Sequence, residues 1–316
     1  MIPQKSSSTS TLLSLTAKQF KKKQTSESTG LVICNRPLKK EILEVSNDLL
    51  REINASIAIK NIPDYKHFFS PIEDYANVVK ESPPQEGLIL TEPQPKKRMI
   101  LIVRRHISYY PFLSYFQLYR YYVNIIETYR SLVESIQALQ SENIVFNGFL
   151  TQSSEAIIIT ADTKTPYLNN FKSAIKWGRV FPDLVDVFSG VHLDNPMVFP
   201  PSLFLWLYMY KNDIKVLREI DKVTILGSYS TPSMEQLLFR LGTGKTKEDI
   251  CRSLFEEGLV WTWDIYSLTY IYRDLCKNIE NKNRYFGNFM TMLEDIIDKG
   301  GESPIKVFIR LNQIVM

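Results

Sequence analysis

A chain of 316 residues with 44% hydrophobic side chains is long enough to bury a sizeable core. A formal charge of only +4, from basic residues that are spread out, excludes an electrostatic case for nucleic-acid binding. The three cysteines (Cys34, Cys251, Cys276) and three histidines (His67, His106, His192) stand apart from one another, which excludes a disulfide framework and a Cys/His zinc motif and favours a reducing compartment. Each cysteine reads as a small buried hydrophobe.

Residues 1–29 are rich in Ser, Thr and Lys and cannot bury enough surface to fold alone, so a flexible arm that orders against a partner is expected. The N-terminus has no apolar core of a secretory signal. From Gly30 the chain becomes globular, with Leu31–Cys34 suited to a strand. Ile42, Val45, Leu49, Ile53 and Ile57 recur at helical spacing and predict a helix from Leu38 to Ile59. A turn follows at Asn61-Ile62-Pro63-Asp64, and the Pro-rich stretch 81–98 reads as an exposed loop.

Met99–Val103 predicts a strand, and apolar spacing from Phe116 to Gln140 predicts a long helix. Ile144-Val145-Phe146 and Ala156–Ile159 are short apolar runs around a polar loop, which predicts a β-hairpin. The remainder reads as helical, with a helix opened by Pro200-Pro201 and others over 232–241, 246–257, 263–279 and 285–299. The fold class is therefore α+β with a mainly helical C-terminal half. Met197–Tyr210, the most apolar stretch, is too short to cross a membrane and carries two prolines, so no direct membrane insertion is expected.

Two local patterns invite a chemical reading and fail it. Gly242-Thr243-Gly244-Lys245-Thr246 is similar to the end of a phosphate-binding loop, but the required earlier glycine falls on Phe239, after residues that read as helical. Thr246 to Asp249 is instead a helix-start pattern. The carboxylate pairs Glu256-Glu257 and Asp183/Asp186 have no base or nucleophile beside them and read as solvated faces.

A larger constellation runs from Ser141 to Asp162, a long helix followed by SENIVFNGFLTQS and then AIIITAD. It resembles the catalytic segment of protein kinases, His-x-Asp-x-Lys-x-x-Asn followed by a strand ending in Asp-Phe-Gly. The resemblance is closer to the kinase-like proteins of large nucleocytoplasmic DNA viruses, through IKNIPDYKHFFSPI (59–72), Phe199-Pro200-Pro201 and Trp263-Asp264-Ile265-Tyr266-Ser267-Leu268. It covers about residues 30–315 and implies a two-lobed protein kinase-like fold. Residues 30–110 would form a reduced N-lobe of strands and a helix, and 111–316 a helical C-lobe.

Carried over position by position, the resemblance implies that the chemistry is missing. The catalytic-loop His falls on Phe146, the proton-accepting Asp on Gly148, the phosphate-steadying Lys on Leu150 and the metal-holding Asn on Ser153. The metal-binding Asp of the Asp-Phe-Gly triplet falls on Thr160, followed by Ala161 and Asp162; a register two residues longer makes Asp162 the metal ligand. No glycine-rich loop precedes Gly30, and no strand Lys is in place to pair with Glu41 or Glu44, the acids that could occupy the helix position. Asp264 matches the buried Asp that braces the catalytic loop from the helix beneath, with a helix N-cap as the alternative.

The implied function is a pseudokinase without cofactor or metal, acting as a protein-interaction or structural component. Its partners would be proteins, including capsid or other virion proteins of a large DNA virus, and its place the virion or host cytoplasm. The alternatives are a divergent active Ser/Thr kinase using Asp162, and a regulator that binds an active kinase.

Overall fold

Leu38–Glu44 is a β-strand (β1) and not the start of a helix. Its residues pair antiparallel with Met99–Arg105 (β3), Leu38 opposite Arg105 and Glu44 opposite Met99. Helix α1 begins only at Asn47 and ends at Ile59, capped by Ser46, whose Oγ accepts from the Leu49 N–H at 3.2 Å. The helical spacing that joined the two segments was coincidental at both ends. Ile42 and Ile57, expected on the buried face, are 54% and 45% exposed. Over so short a window, helical and strand periods share positions, and the β3 ladder decides.

The computed structural model describes residues 37–78, 98–118, 122–150, 155–176, 180–277, 279 and 283–315. Met1–Arg36 and Pro37–Met316 are separate units. The arm, the expected strand Leu31–Cys34 and nearly all of the 81–98 loop lie outside the described residues. Ile72–Val78 (β2) completes an antiparallel sheet in the order β1–β3–β2, with a bulge between Ile72 and Asp74. Helix α1 lays Leu49 and Ile53 on Ile72, Ile100 and Ile102 of this sheet.

Tyr109–Pro111 (β4) leads into Phe112–Leu118 (α2) and Tyr122–Ser141 (α3), and the described part of the helix expected from Phe116 to Gln140 falls on both. Four short strands follow: Ile144–Val145 (β5), Ile157–Thr160 (β6), Pro166–Leu168 (β7) and Ile175–Lys176 (β8). The predicted hairpin between the β5 and β6 runs does not form. β5 pairs with β8, Val145 opposite Ile175, while β6 lies between β4 and β7. The true partners of the two runs are two or three residues long, and one begins with Pro166, too little to register as strands by pattern.

Among the described residues eight α-helices follow: α4 (Val180–Phe188), α5 (Pro201–Lys211), α6 (Glu219–Ser228), α7 (Pro232–Leu241), α8 (Lys247–Glu256), α9 (Trp263–Cys276), α10 (Arg284–Asp298) and α11 (Pro304–Val315). The chain is thus α+β, with small antiparallel sheets and a helical C-terminal part. The five expected helices coincide with α5, α7, α8, α9 and α10, whereas α4, α6 and α11 were not expected. Among the described residues no helix is long and apolar enough to cross a membrane.

Two main cores form. In the first, α3, α9 and α10 meet through Tyr129, Tyr272 and Phe289, with the Tyr129 and Tyr272 rings 4.9 Å apart. In the second, α5, α7 and α8 enclose Phe204, Trp206 and Leu238, closed by Trp263. The segment from β5 into the following loop lies on the seam, since Ile144, Phe146 and Phe149 enter the first core and Val145 and Leu150 the second. Tyr110, expected to close an N-lobe, lies within β4 opposite Ile159 of β6.

Candidate functional site

Because its side chains are divided between two cores, the Phe146–Leu150 loop has a fixed backbone, and one buried carboxylate holds it. Phe146 N–H donates to Asp264 Oδ2 at 2.7 Å, and Asn147 N–H donates to Oδ1 at 2.7 Å. Asp264 lies in the first turn of α9, where the helix dipole favours negative charge. It does not cap that helix: Thr262 stands at the N-cap, and both Asp264 oxygens reach across to the loop. Burial pushes the Asp264 carboxyl up to about 6, and the two backbone bonds pull against that rise.

The loop turns at Asn147, whose φ of 54° is left-handed, and Leu150 N–H closes the turn on Asn147 O at 3.1 Å. The buried Asn147 side chain donates from Nδ2 to Ser173 O at 3.4 Å. Phe146, where the sequence resemblance would put a His, is fully buried with Phe149 and Phe171 at T-shaped ring distances of 5.1 and 5.3 Å. Phe171 continues to Phe69, 6.2 Å away, which ties the loop to the β-bridge at Phe69–Leu168. The Phe146 ring also fills the space into which a side chain at Gly148 would grow: a Cβ there would meet three of its ring carbons. Leu150 is buried too. Ser153 lies outside the described residues.

Thr160 and Asp162 are not at this loop. Thr160 is buried at the end of β6, its Oγ1 bonded to Thr163 Oγ1 at 2.7 Å and accepting from Thr165 N–H at 3.1 Å. Asp162 is exposed on the same tight turn, where its Oδ1 accepts from Thr163 N–H at 2.8 Å. That turn is at one end of the β6–β7 hairpin, and Ile157 opposite Leu168 marks the other. The loop meets the second end, where Phe171 reaches Phe146 just after Asn169 and Asn170. The expectation that the strand after the loop ends at the site is therefore corrected: it turns first, and its return strand arrives there. Among the described residues no group of three or more His, Cys, Asp or Glu could hold a metal ion.

The ion pair between helix and strand also differs from expectation. Glu41 and Glu44 belong to β1, and Glu41 pairs with neighbouring Lys39 at 2.6 Å. The helix acid that meets a strand cation is Glu52 of α1, 1% exposed, gripped from β3 by Arg104 through Oε1 and Oε2 at 2.9 Å each. Sequence reasoning missed this pair because 52 residues separate its members. Asp186, expected on a solvated face, forms an ion pair with Arg51 of α1, whose Nε donates to Lys172 O at 2.8 Å.

The glycine-rich turn at 242–246 is structural. Gly242 and Gly244 take left-handed φ values of 68° and 80°, Gly244 N–H is committed to Leu217 O at 2.9 Å, and Thr246 with Asp249 forms a capping box on α8. Cys251 and Cys276 are buried, and burial pushes each thiol up to about 12, which leaves no thiolate near neutral pH. Cys34 lies outside the described residues. No protein-family model matches the chain, and no curated protein matches it in sequence.

Proposed function

We propose that this chain is a non-catalytic protein of kinase-like organisation, a pseudokinase that serves as a protein-interaction or structural component. One observation carries the reading. Asp264 grips the backbone at Phe146 and Asn147, as the family's bracing Asp would, while the loop it holds carries only apolar or amide side chains. Phosphoryl transfer depends on positioned charge: a base for the hydroxyl and acids for the metal. Gly148 offers no base, Leu150 no cation, and Asp162 is turned out at the far end of the hairpin. A braced loop with this lining holds the scaffold without supplying chemistry.

The more specific form of the proposal is a minor structural protein of a large DNA virus particle. It rests on the sequence resemblance and on the 1–29 arm, whose composition suits ordering against neighbours.

A thermal-shift titration with ATP, with and without magnesium, tests the reading. A ligand at 100 times its dissociation constant adds about 2.7 kcal/mol to stability, a displacement of several degrees. The expected result is no magnesium-dependent shift at millimolar nucleotide. A shift abolished by Asp162→Ala would replace the proposal with a divergent Ser/Thr kinase.

A further inference from the structure

Asn147 is the one asparagine in the sequence that is followed by glycine. In an open chain that pair is chemically weak, because glycine sets no side chain in the way of attack by its own nitrogen on the neighbouring amide. The Gly148 nitrogen gives up its proton and bonds to Asn147 Cγ, the Cγ–Nδ2 bond breaks, and ammonia leaves carrying that proton. Water then opens the five-membered imide. Cleavage at Cγ gives Asp at 147, and cleavage at the main-chain carbonyl gives isoaspartate, with the chain running through Cγ. Water is the only co-reactant, and no electrons are exchanged.

The folded loop opposes each step. Asn147 is fully buried; its N–H is held by Asp264 Oδ1 at 2.7 Å, its carbonyl by Leu150 N–H at 3.1 Å and its Nδ2 by Ser173 O at 3.4 Å. Anchored through main chain and side chain alike, the residue cannot readily swing Cγ over the Gly148 nitrogen. That nitrogen would also have to lose its proton one residue from an N–H already held by a buried carboxylate, which disfavours further negative charge. The attack places negative charge on Asn147 Oδ1, and among the described residues this buried oxygen has no hydrogen-bond donor. The site is the reverse of an oxyanion hole.

The product does not fit the loop it came from. A carboxylate at 147 turns an acceptor toward Ser173 O in place of the Nδ2 donor. It also buries a second negative charge next to the Asp264 carboxylate that holds the same residue's N–H. Isoaspartate further inserts a backbone carbon before Gly148, where even a Cβ would collide with the Phe146 ring. We propose that Asn147 is a modification site kept closed by the fold: it deamidates only when the loop opens, and the product cannot re-enter the loop. Prolonged unfolding is thereby written into the chain as a covalent change, and this holds whether or not the chain binds nucleotide.

The test incubates the full chain at mildly alkaline pH, folded in one arm and in guanidinium chloride with reductant in the other. Conversion at Asn147 is followed by peptide mass mapping. A folded chain of ordinary stability is open no more than about once in a thousand, so conversion should be at least about a hundredfold slower in the folded arm. A smaller ratio, or no conversion in denaturant, would overturn the proposal. After dilution from denaturant, refolded and misfolded chains are separated by size and mapped. The refolded fraction should retain Asn147 and the misfolded fraction should carry the product; deamidated chains that refold with the wild-type unfolding midpoint would sink the second half of the idea. Asn147→Gly keeps the N–H for Asp264, adopts the left-handed φ readily and has no amide to lose, so its refolding yield should not decay. Decay at the wild-type rate would assign the damage elsewhere. If Asn147→Gly does not fold, the mapping of the two wild-type fractions decides alone.

Discussion

Asp264 and the exposed apolar residues of α6 and α7 are opposites. At Asp264 a charge sits where water is excluded, and each oxygen has a backbone partner. At Ile220, Val223 and Phe239, apolar surface is left exposed among the described residues. Folding accounts for the first, because two loop amides and one carboxylate satisfy one another at a cost in desolvation. It does not account for the second. A buried carboxylate whose oxygens are both satisfied reports on the architecture, while apolar surface left wet is not explained by it.

The sharpest way to break this contrast is Asp264→Ala. It leaves the Phe146 and Asn147 amides buried without acceptors and should cost about 3 kcal/mol in urea unfolding. A cost near zero would show that the loop does not depend on its brace. The same carboxyl gives a pH signature. Its folded value of about 6 lies above the ordinary 3.8, so between those values the folded state holds a proton that the unfolded chain has lost. Its contribution to stability is present below pH 3.8 and lost as pH rises through 6. The stability difference between the wild type and Asp264→Asn should therefore move in favour of the wild type as pH falls across that window. A difference flat with pH would contradict the shift.

Next in size is Glu52→Ala, which strands Arg104. Breaking a buried pair is costly, but the Arg104 side chain is 22% exposed and can reach water, so about 2 kcal/mol is expected. Chemical denaturation alongside Glu41→Ala, whose cost should be near zero, distinguishes the buried pair from the surface one. Tyr229→Phe removes a bond to Phe199 O and one shared with Tyr266 Oη at 2.9 Å, for about 1 kcal/mol in the same assay. Smallest is Phe239→Ser, which should change stability by no more than about 0.5 kcal/mol. A larger loss would mean that Phe239 supports the fold.

Legibility in the sequence followed the range of the interaction. Helices with their own caps and aliphatic stripes, such as α7 and α8, could be read locally, and Thr246 with Asp249 announced its capping box. Asp264 lies 118 residues from Phe146, and only the resemblance of Trp-Asp-Ile-Tyr-Ser-Leu to a kinase string singled it out in the sequence. The strands β7 and β8 were not, because so few residues carry no period and their stability comes from their neighbours. That loss displaced the site: without β7 the hairpin turn at Thr160 looked like the end of the strand, and Asn170 with Phe171 went unnoticed. Ser46 was the overlooked signal at the other error, since a cap there separates β1 from α1.

The Phe146 ring over Gly148 has a consequence for the paths by which this sequence can change. A carboxylate at 148 on its own drives a Cβ into that ring. A smaller residue at 146 on its own opens a void among Phe149 and Phe171, with the loss of packing that cavities bring. Neither first step is tolerated well, and only the two together would fit. The two positions are locked together: drift can wander widely over exposed positions, yet at this loop it cannot proceed one substitution at a time.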